Sequence, residues 1–156
     1  MDSDLRRAAV AALSELGRSR DYRDRADAGR GLAGLAEMPE AVGLLIELVL
    51  DPDDTFVTRV TAEAVLRRRD RTGLAIVASA LADADPNHLD WIHAAVADAV
   101  GILSSDRDHA LQVAEELAAD GDDHISRGAH QLLDMLAELN PVLRPASVNN
   151  ARDQYT

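Results

Sequence analysis

Apolar residues recur along this chain at helical spacing, in short segments that polar turns separate. Residues 40–70 show the pattern most clearly. Their first half carries apolar residues at i, i+3, i+4 and i+7, namely Ala41, Leu44, Leu45 and Leu48. After the turn 51–54, a second stripe follows at Ala62, Val65 and Leu66. Because this spacing places side chains on one face of an α-helix, the pattern predicts two helices, over 40–50 and 55–69.

Turn signals divide the rest of the chain into segments of the same kind. They predict helices over 3–16, 21–37, 40–50, 55–69, 73–82, 87–103, 107–119 and 124–139. No segment alternates apolar and polar residues with the period of a strand, so the predicted fold class is all-α. The helices group into four pairs, over 3–37, 40–69, 73–103 and 107–139, which form one domain over 1–139.

Residues 140–156 differ from the helical segments. They carry Pro141, Pro145 and a polar end, which argue against another helix. We predict a flexible C-terminal tail, because chain termini are commonly poorly ordered. The alternative is that Val142 and Leu143 fold back and cover the last exposed helix face.

Equivalent apolar positions recur from pair to pair. In the first helices, spacings of 32, 33 and 36 residues relate Ala9, Ala41, Leu74 and Ala110. In the second helices, spacings of 34, 34 and 33 relate Ala28, Ala62, Val96 and Ala129. A helix pair this short cannot bury its apolar faces alone. The repeat therefore predicts that neighbouring pairs stack on one another.

Polar residues also repeat, at the turn inside each pair. Two pairs have an Asp in this turn and an Arg early in the second helix: Asp54 with Arg59 and, one position out of frame, Asp122 with Arg127. The first pair keeps only its Arg, Arg25, and the third has His88 and His93 instead. Over residues 3–139 the pattern resembles HEAT-type repeats, and by length the short HEAT-like repeats of phycobilisome lyases. The resemblance implies a right-handed α-solenoid of about four helix pairs that binds proteins without catalysis.

The composition narrows the class of protein. Hydrophobic residues make up 47% of the 156 residues and aromatic residues 3%, which suits closely packed Ala-rich helices. All 16 basic residues are Arg, as expected of a GC-rich bacterial genome. The chain has no cysteine, which excludes disulfides, thiolate metal ligands and a cysteine nucleophile. Residues 1–4 form no apolar signal core, and the apolar run 41–50 is too short to span a bilayer, so we expect a cytoplasmic protein.

The charge is acidic and unevenly distributed. The formal net charge is −12. Residues 1–71 hold 12 Arg against 14 Asp and Glu, for a net −2, whereas residues 72–156 hold 4 Arg against 14 acids, for a net −10. An acidic half repels phosphate backbones, so we expect no nucleic-acid partner and favour a basic protein.

Much of this acid lies in the predicted turns inside the pairs. The residues are Asp51, Asp53, Asp54, Asp83, Asp85, Asp120, Asp122 and Asp123. If the pairs stack, these turns form an acidic strip along one edge, which a basic protein could dock against. The alternative is that these Asp residues are helix N-caps and turn formers, chosen for local reasons.

A second candidate surface involves the single tryptophan. In the sixth helix the buried stripe is predicted at Leu89, Ile92, Val96, Ala99 and Leu103, which places Trp91 beside it. Trp91 is either an interface residue or a cover over a gap between Ala-rich helices. With His93, Asp98, His130 and Asp134, it is predicted to lie on a binding face formed by the second helices.

The single basic cluster is Arg67, Arg68, Arg69 and Arg71. One interpretation is a phosphate contact of the kind that the HEAT-like DNA glycosylases make. The favoured interpretation is local, because cations near a helix C-terminus interact well with its last carbonyl groups. We therefore do not count this cluster among the predicted binding residues.

The sequence does not predict an active site. Asp83 and Asp85 begin like a calcium-binding EF-hand loop, but His88 and Ala94 stand where that loop needs Gly and Glu. The five histidines lack the spacing of a helical metal site. No phosphate loop, nucleophile motif or acid–base pair is present. We predict no enzyme activity, no cofactor and no metal.

The resulting functional expectation is a non-catalytic protein-binding scaffold. One concrete alternative is an immunity-type protein that neutralises a basic toxin. Another is a lyase-like or enzyme-associated module that binds a small ligand. In the first helix, Ala8, Val10 and Ala11 lie outside the predicted core stripe. This leaves open a piece of a longer repeat array, or a dimer through an end helix rather than a monomer.

Overall fold

The computed structural model describes residues 2–146, which form helices joined by short turns. Within this range the helices are α1 Ser3–Leu16, α2 Tyr22–Ala33, α3 Pro39–Val49, α4 Thr55–Leu66, α5 Arg71–Leu81, α6 Pro86–Val100, α7 Ser104–Ala118 and α8 Asp123–Glu138. The described residues contain no strand beyond an isolated bridge between Leu103 and Leu143. The predicted all-α class is therefore confirmed for this part of the chain.

Local chemistry explains where most helices begin. The carboxylates of Asp21, Asp54, Asp70, Asp85 and Asp122 each accept a backbone N–H from the first turn of the helix that follows. These bonds satisfy donors that have no partner inside the helix. The helix α3 has no side-chain cap but has a proline in its first turn, and α6 has both a cap and a proline. The missing N–H of a proline has no cost at this position.

Several helix ends differ from their predicted positions. The helix α2 ends at Ala33 rather than at 37, and residues 35–38 turn tightly into Pro39. The helix α4 ends at Leu66 rather than at 69. Arg69 has a φ of 57°, a left-handed conformation that cannot continue a helix. The helix α7 begins at Ser104 rather than at 107. The Ser104 N–H has no partner inside the helix and donates to the Leu143 carbonyl.

The most extensive helix contacts are those of α4 with α2 and α6, and those of α8 with α5 and α7. The second helices α2, α4 and α6 lie side by side in chain order, and so do the first helices α3, α5 and α7. Within the predicted pairs, α1 contacts α2, α3 contacts α4 and α7 contacts α8. The third pair differs, because α5 packs extensively on α8 and hardly on α6.

A glycine permits this contact between α5 and α8. Gly128 lies so close to α5 that a Cβ at this position would come within 1.7 Å of the Ala78 carbonyl oxygen. That distance is far inside van der Waals contact, so no larger residue fits without moving the helix. At this point α5 and α8 are therefore in close backbone approach.

The core consists of leucine, valine, isoleucine and alanine from all eight helices of the described range. Two expectations about it were wrong. Val10, predicted to lie outside the stripe of α1, is buried with 4% of its surface exposed, while Ala12 faces solvent. Leu103, predicted inside the stripe of the sixth helix, is exposed because α6 ends at Val100 and the chain turns before it.

The start of the predicted tail is attached to the body. The Leu143 N–H donates to the Ile102 carbonyl, the Ser104 N–H donates to the Leu143 carbonyl, and Pro141 is buried. The side chains of Val142 and Leu143 remain exposed, so the attachment is made by backbone hydrogen bonds and not by the apolar cover that was the alternative to a flexible tail. The remainder of the predicted tail, 147–156, lies outside the described residues.

Candidate functional site

The acidic turns of three helix pairs meet along one edge of the molecule. Nε2 of His88, in the first turn of α6, lies 3.0 Å from the Asp51 carbonyl oxygen in the turn before α4. Nε2 of His124, in the first turn of α8, lies 2.7 Å from the Asp83 carboxylate in the turn before α6. Two histidines thus connect neighbouring turns across gaps of 37 and 41 residues in sequence.

Asp51 is a structural member of this edge rather than a surface group. It is 4% exposed and accepts hydrogen bonds from Nε and Nη2 of Arg25, at 2.7 and 3.1 Å. It also accepts the backbone N–H groups of Asp53 and Asp54. Burial by itself would raise the pKa of the Asp51 carboxyl, but these hydrogen bonds outweigh it and hold the pKa below its ordinary value.

Most of the other turn aspartates have a hydrogen-bond or ion-pair partner within the protein, and two have no side-chain partner. Asp54, Asp85 and Asp122 are N-caps. Asp83 pairs with His124, and Asp120 accepts the Asp122 N–H and lies 3.6 Å from Arg71. Within residues 2–146, the exposed carboxylates of Asp53 and Asp123 have no side-chain partner. Local roles therefore account for most of these residues, but not for all.

The predicted residues of the second-helix face all lie at the surface. Trp91 is 36% exposed in the first half of α6. Asp98 accepts a hydrogen bond of 2.5 Å from Arg59 of α4, and His93 lies 3.4 Å from Glu138 of α8. These two contacts tie α6 to both neighbouring second helices. His130 contacts the Ser126 carbonyl in its own helix, and Asp134 is exposed.

A feature that the sequence reasoning missed lies between the first halves of α2 and α4. The rings of Tyr22 and Phe56 meet edge to face, with centroids 5.9 Å apart and planes at 89°. Phe56 is 45% exposed. These rings form part of an open depression of about 610 Å³, here called the aromatic cup, lined by Tyr22, Arg23, Ala26, Asp27, Arg30, Asp54 and Phe56.

Two arginines stand over the rings of the aromatic cup. The guanidinium carbon of Arg23 lies 4.9 Å from the centroid of Tyr22, and that of Arg30 lies 5.7 Å from the centroid of Phe56. Both distances fall within the range of cation–π attraction. Arg30 also donates to Asp27 at 3.0 Å. The sequence held a signal for this site, because the spacing of 34 that relates Ala28 to Ala62 also relates Tyr22 to Phe56.

Each arginine of the basic cluster is paired with a carboxylate of the same chain. Arg67 pairs with Glu63, Arg68 with Asp70 and Glu37, Arg69 with Asp106, and Arg71 with Glu116 and Asp120. Arg68 also donates to the Ala33 carbonyl in α2. These guanidinium groups hold the turn between α4 and α5 in place, which is the local interpretation of the cluster.

Metal-ligand clusters and membrane-spanning helices are two further features that would indicate a function. Among residues 2–146, no three histidine, aspartate or glutamate side chains converge as metal ligands would. In the same range, no helix is long and apolar enough to cross a membrane.

No protein-family model matches this chain, and no curated protein matches it. Among solved structures, it is similar to the crystal structure of an engineered protein, at 21% sequence identity and a TM-score of 0.35. The match covers 85% of this chain and 64% of the engineered one, so this chain spans less than two thirds of that protein's length. A likeness of this size carries no argument about fold or function.

Proposed function

We propose that this chain is a non-catalytic protein-binding scaffold of the HEAT-like repeat type, arranged as a right-handed α-solenoid. The side-by-side packing of α2, α4 and α6, and of α3, α5 and α7, supports the repeat arrangement. So does the ion pair of Arg25 with Asp51, because it joins the second helix of one predicted pair to the turn of the next. The scaffold presents two surfaces, the second-helix face and the acidic turn edge.

The acidic turn edge is the surface formed by Asp53, Asp54, Asp83, Asp85, Asp120, Asp122 and Asp123. Asp51 is left out because it is buried against Arg25. The observation that carries the proposal is the meeting of three acidic turns through His88 and His124. Neighbouring carboxylates that are not all consumed by local roles favour a basic partner, since complementary charge speeds association and sets register.

Two narrower versions of this function differ in what they bind. An immunity-type protein that neutralises a basic toxin would use the acidic turn edge in the same way. A module that binds a small ligand would instead need an enclosed apolar pocket. The aromatic cup is open and lined by charged as well as aromatic residues, which favours a protein partner.

The test is affinity capture from lysate of the source cells at low and at raised salt, with the bound proteins identified by mass spectrometry. The edge variant carries Asp120→Asn, Asp122→Asn and Asp123→Asn. Asparagine also caps helices well, so this variant removes charge while it keeps the start of α8. The matched control carries Asp2→Asn, Asp4→Asn and Glu15→Gln, which remove the same charge from the exposed surface of α1 and the residue before it.

We expect one basic protein to bind the native chain and the control at low salt. The edge variant should lose this protein, and raised salt should release it from the native chain, because salt shortens the Debye length below its value of about 10 Å at 0.1 M and so weakens exposed charge pairs. If the edge variant retains the same proteins as the native chain, the turn aspartates serve folding alone and the acidic turn edge is not a docking surface.

A further inference from the structure

The aromatic cup combines an apolar floor with charged side chains, which differ in how closely they are paired within the protein. The floor is formed by Tyr22, Ala26 and Phe56. The chain is poor in aromatic residues, at 3%, yet two of them meet at this one surface position. The edge-to-face contact holds each ring against the other, so the floor is already shaped before a partner arrives. Such a floor suits one apolar side chain of a partner.

The carboxylates near the cup are occupied within the protein. Asp54 caps α4 by accepting the Phe56 N–H at 2.8 Å. Asp21 caps α2 by accepting the Arg23 N–H at 2.9 Å. Asp27 accepts a hydrogen bond of 3.0 Å from Arg30. Asp27 is thus paired with a guanidinium, whereas Asp21 and Asp54 keep their charge and direct it at the N-terminal ends of α2 and α4.

Arg23 is the group of the cup whose charge is least engaged. Its side chain is 72% exposed, and its nearest carboxylate oxygen, on Asp21, is 4.0 Å away. A distance of 4.0 Å is too long for a hydrogen bond. Arg23 is therefore the group of the cup that can pair with a carboxylate of a partner.

We propose that the aromatic cup binds a partner segment in which an apolar side chain stands next to a carboxylate, as in a Leu-Asp or Phe-Glu sequence. The apolar side chain lies on Phe56 and Tyr22, and the carboxylate accepts from the Arg23 guanidinium. The inference rests on the proposed protein-binding function and specifies one contact of that partner. Asp54 belongs to both surfaces, so a basic region of the same partner would face the acidic turn edge beside it.

Peptide titration of the ¹⁵N-labelled full chain, followed by amide chemical shifts, tests the contact directly. Three blocked tetrapeptides serve as probes: Ac-Gly-Leu-Asp-Gly-NH₂, the same peptide with Asn in place of Asp, and the same peptide with Lys in place of Asp. We expect shifts centred on the first turns of α2 and α4. The Asp peptide should bind about two- to fivefold more tightly than the Asn peptide, as for an exposed ion pair, and the Lys peptide most weakly.

Three variants separate the two halves of the contact. Phe56→Ala should lose the shifts from all three peptides. Arg23→Gln should keep binding to the Asp and Asn peptides but abolish the difference between them. Arg7→Gln is the control, because it removes another exposed arginine, from α1 and away from the cup. Phe56→Leu, which keeps an apolar floor, should retain binding. A dispersed amide spectrum of Phe56→Ala itself shows that its loss of binding is not unfolding.

The inference is overturned if no peptide shifts the cup amides, if the Lys peptide binds as tightly as the Asp peptide, or if Arg23→Gln keeps the preference for Asp. These outcomes are distinct from a failure of the proposed function. The scaffold proposal fails when the edge variant captures the same lysate proteins as the native chain, a result that does not depend on Phe56 or Arg23.

Discussion

At the scale of single residues, Asp51 joins three parts of the chain. Its carboxylate binds Arg25 of α2 and the two backbone N–H groups that follow it, and its carbonyl accepts from His88 of α6 if that ring nitrogen carries a proton. The Arg25 guanidinium also donates to the Ser19 and Arg20 carbonyls. The pKa of Arg25 is raised, first by its hydrogen bond to Asp51.

The buried pair predicts a strong coupling between Arg25 and Asp51. Arg25→Met should destabilise the protein by about 3–5 kcal/mol, because it leaves a buried carboxylate without its counter-charge. Adding Asp51→Asn should cost much less than its effect in the native background, since the charge that needed a partner is then gone. Urea unfolding of the four proteins of this cycle measures the coupling. Additive effects would contradict the pairing.

The same variants fix the sign of the pH dependence. The pKa of Asp51 is lower in the folded protein than its ordinary value. Its contribution to stability is therefore present above about pH 4 and is lost as the pH falls through the folded pKa. The Asp51→Asn protein should lack this part of the acid destabilisation. Unfolding curves from about pH 6 down to about pH 2 check this expectation.

At the scale of helices, apolar periodicity predicted where each helix lies, and backbone conformation decided where several of them end. The period of 3.6 residues is a property of a single segment, so it can be counted in the sequence. The left-handed Arg69 and the contact of Ser104 with Leu143 arise from the path of the chain between helices. Such a path depends on the positions of both neighbours.

Two glycine substitutions of opposite sign are expected at this scale. Gly128→Ala should destabilise the protein by about 1–3 kcal/mol, because its methyl group would overlap the backbone of α5. Gly43→Ala should stabilise it by about 0.5–1 kcal/mol, because Gly43 lies inside the exposed face of α3 with nothing within 4 Å of a new Cβ. Thermal and urea unfolding measure both. Equal effects would show that α5 and α8 are not in backbone contact.

At the scale of the whole molecule, the charge distribution differs from the picture in the linear sequence. The cluster 67–71 is basic as a sequence, but its guanidinium groups pair with carboxylates from α4, from α7 and from the turn before α3. The turn aspartates are far apart as a sequence, but His88 and His124 connect their turns. The arginines of this cluster are thus paired with carboxylates of the same chain, whereas the acidic turns lie together at one edge.

The attachment of residues 141–143 predicts that removing them lowers the stability of the protein. A chain that ends at residue 139 should be less stable than one that ends at residue 146 by about 1–3 kcal/mol. The shorter chain loses two backbone hydrogen bonds with Ile102 and Ser104, and it uncovers the surface beneath Pro141. Comparing these two truncations cancels any effect of 147–156. Equal stability would show that the bridge to Leu143 contributes nothing.

The candidate surfaces were predictable to different degrees. The capping role of the turn aspartates follows from their position before a helix, and Asp54, Asp85 and Asp122 fill it. Trp91 lies beside the buried stripe, as its place in the helical period predicted. The aromatic cup was missed because Tyr22 and Phe56 lie in different helices. Their contact depends on how α2 and α4 lie against each other.

The sequence by itself determined the all-α class, the approximate position of each described helix, most buried stripes and several N-caps. These properties depend on residues within about one or two helical turns of each other, so local spacing is sufficient. Only the tertiary structure decided which carboxylate Arg25 binds, which helix α5 packs against and where the aromatic cup forms. A chain with 28 acidic residues offers each arginine many possible partners. The relative placement of the helices selects one of them.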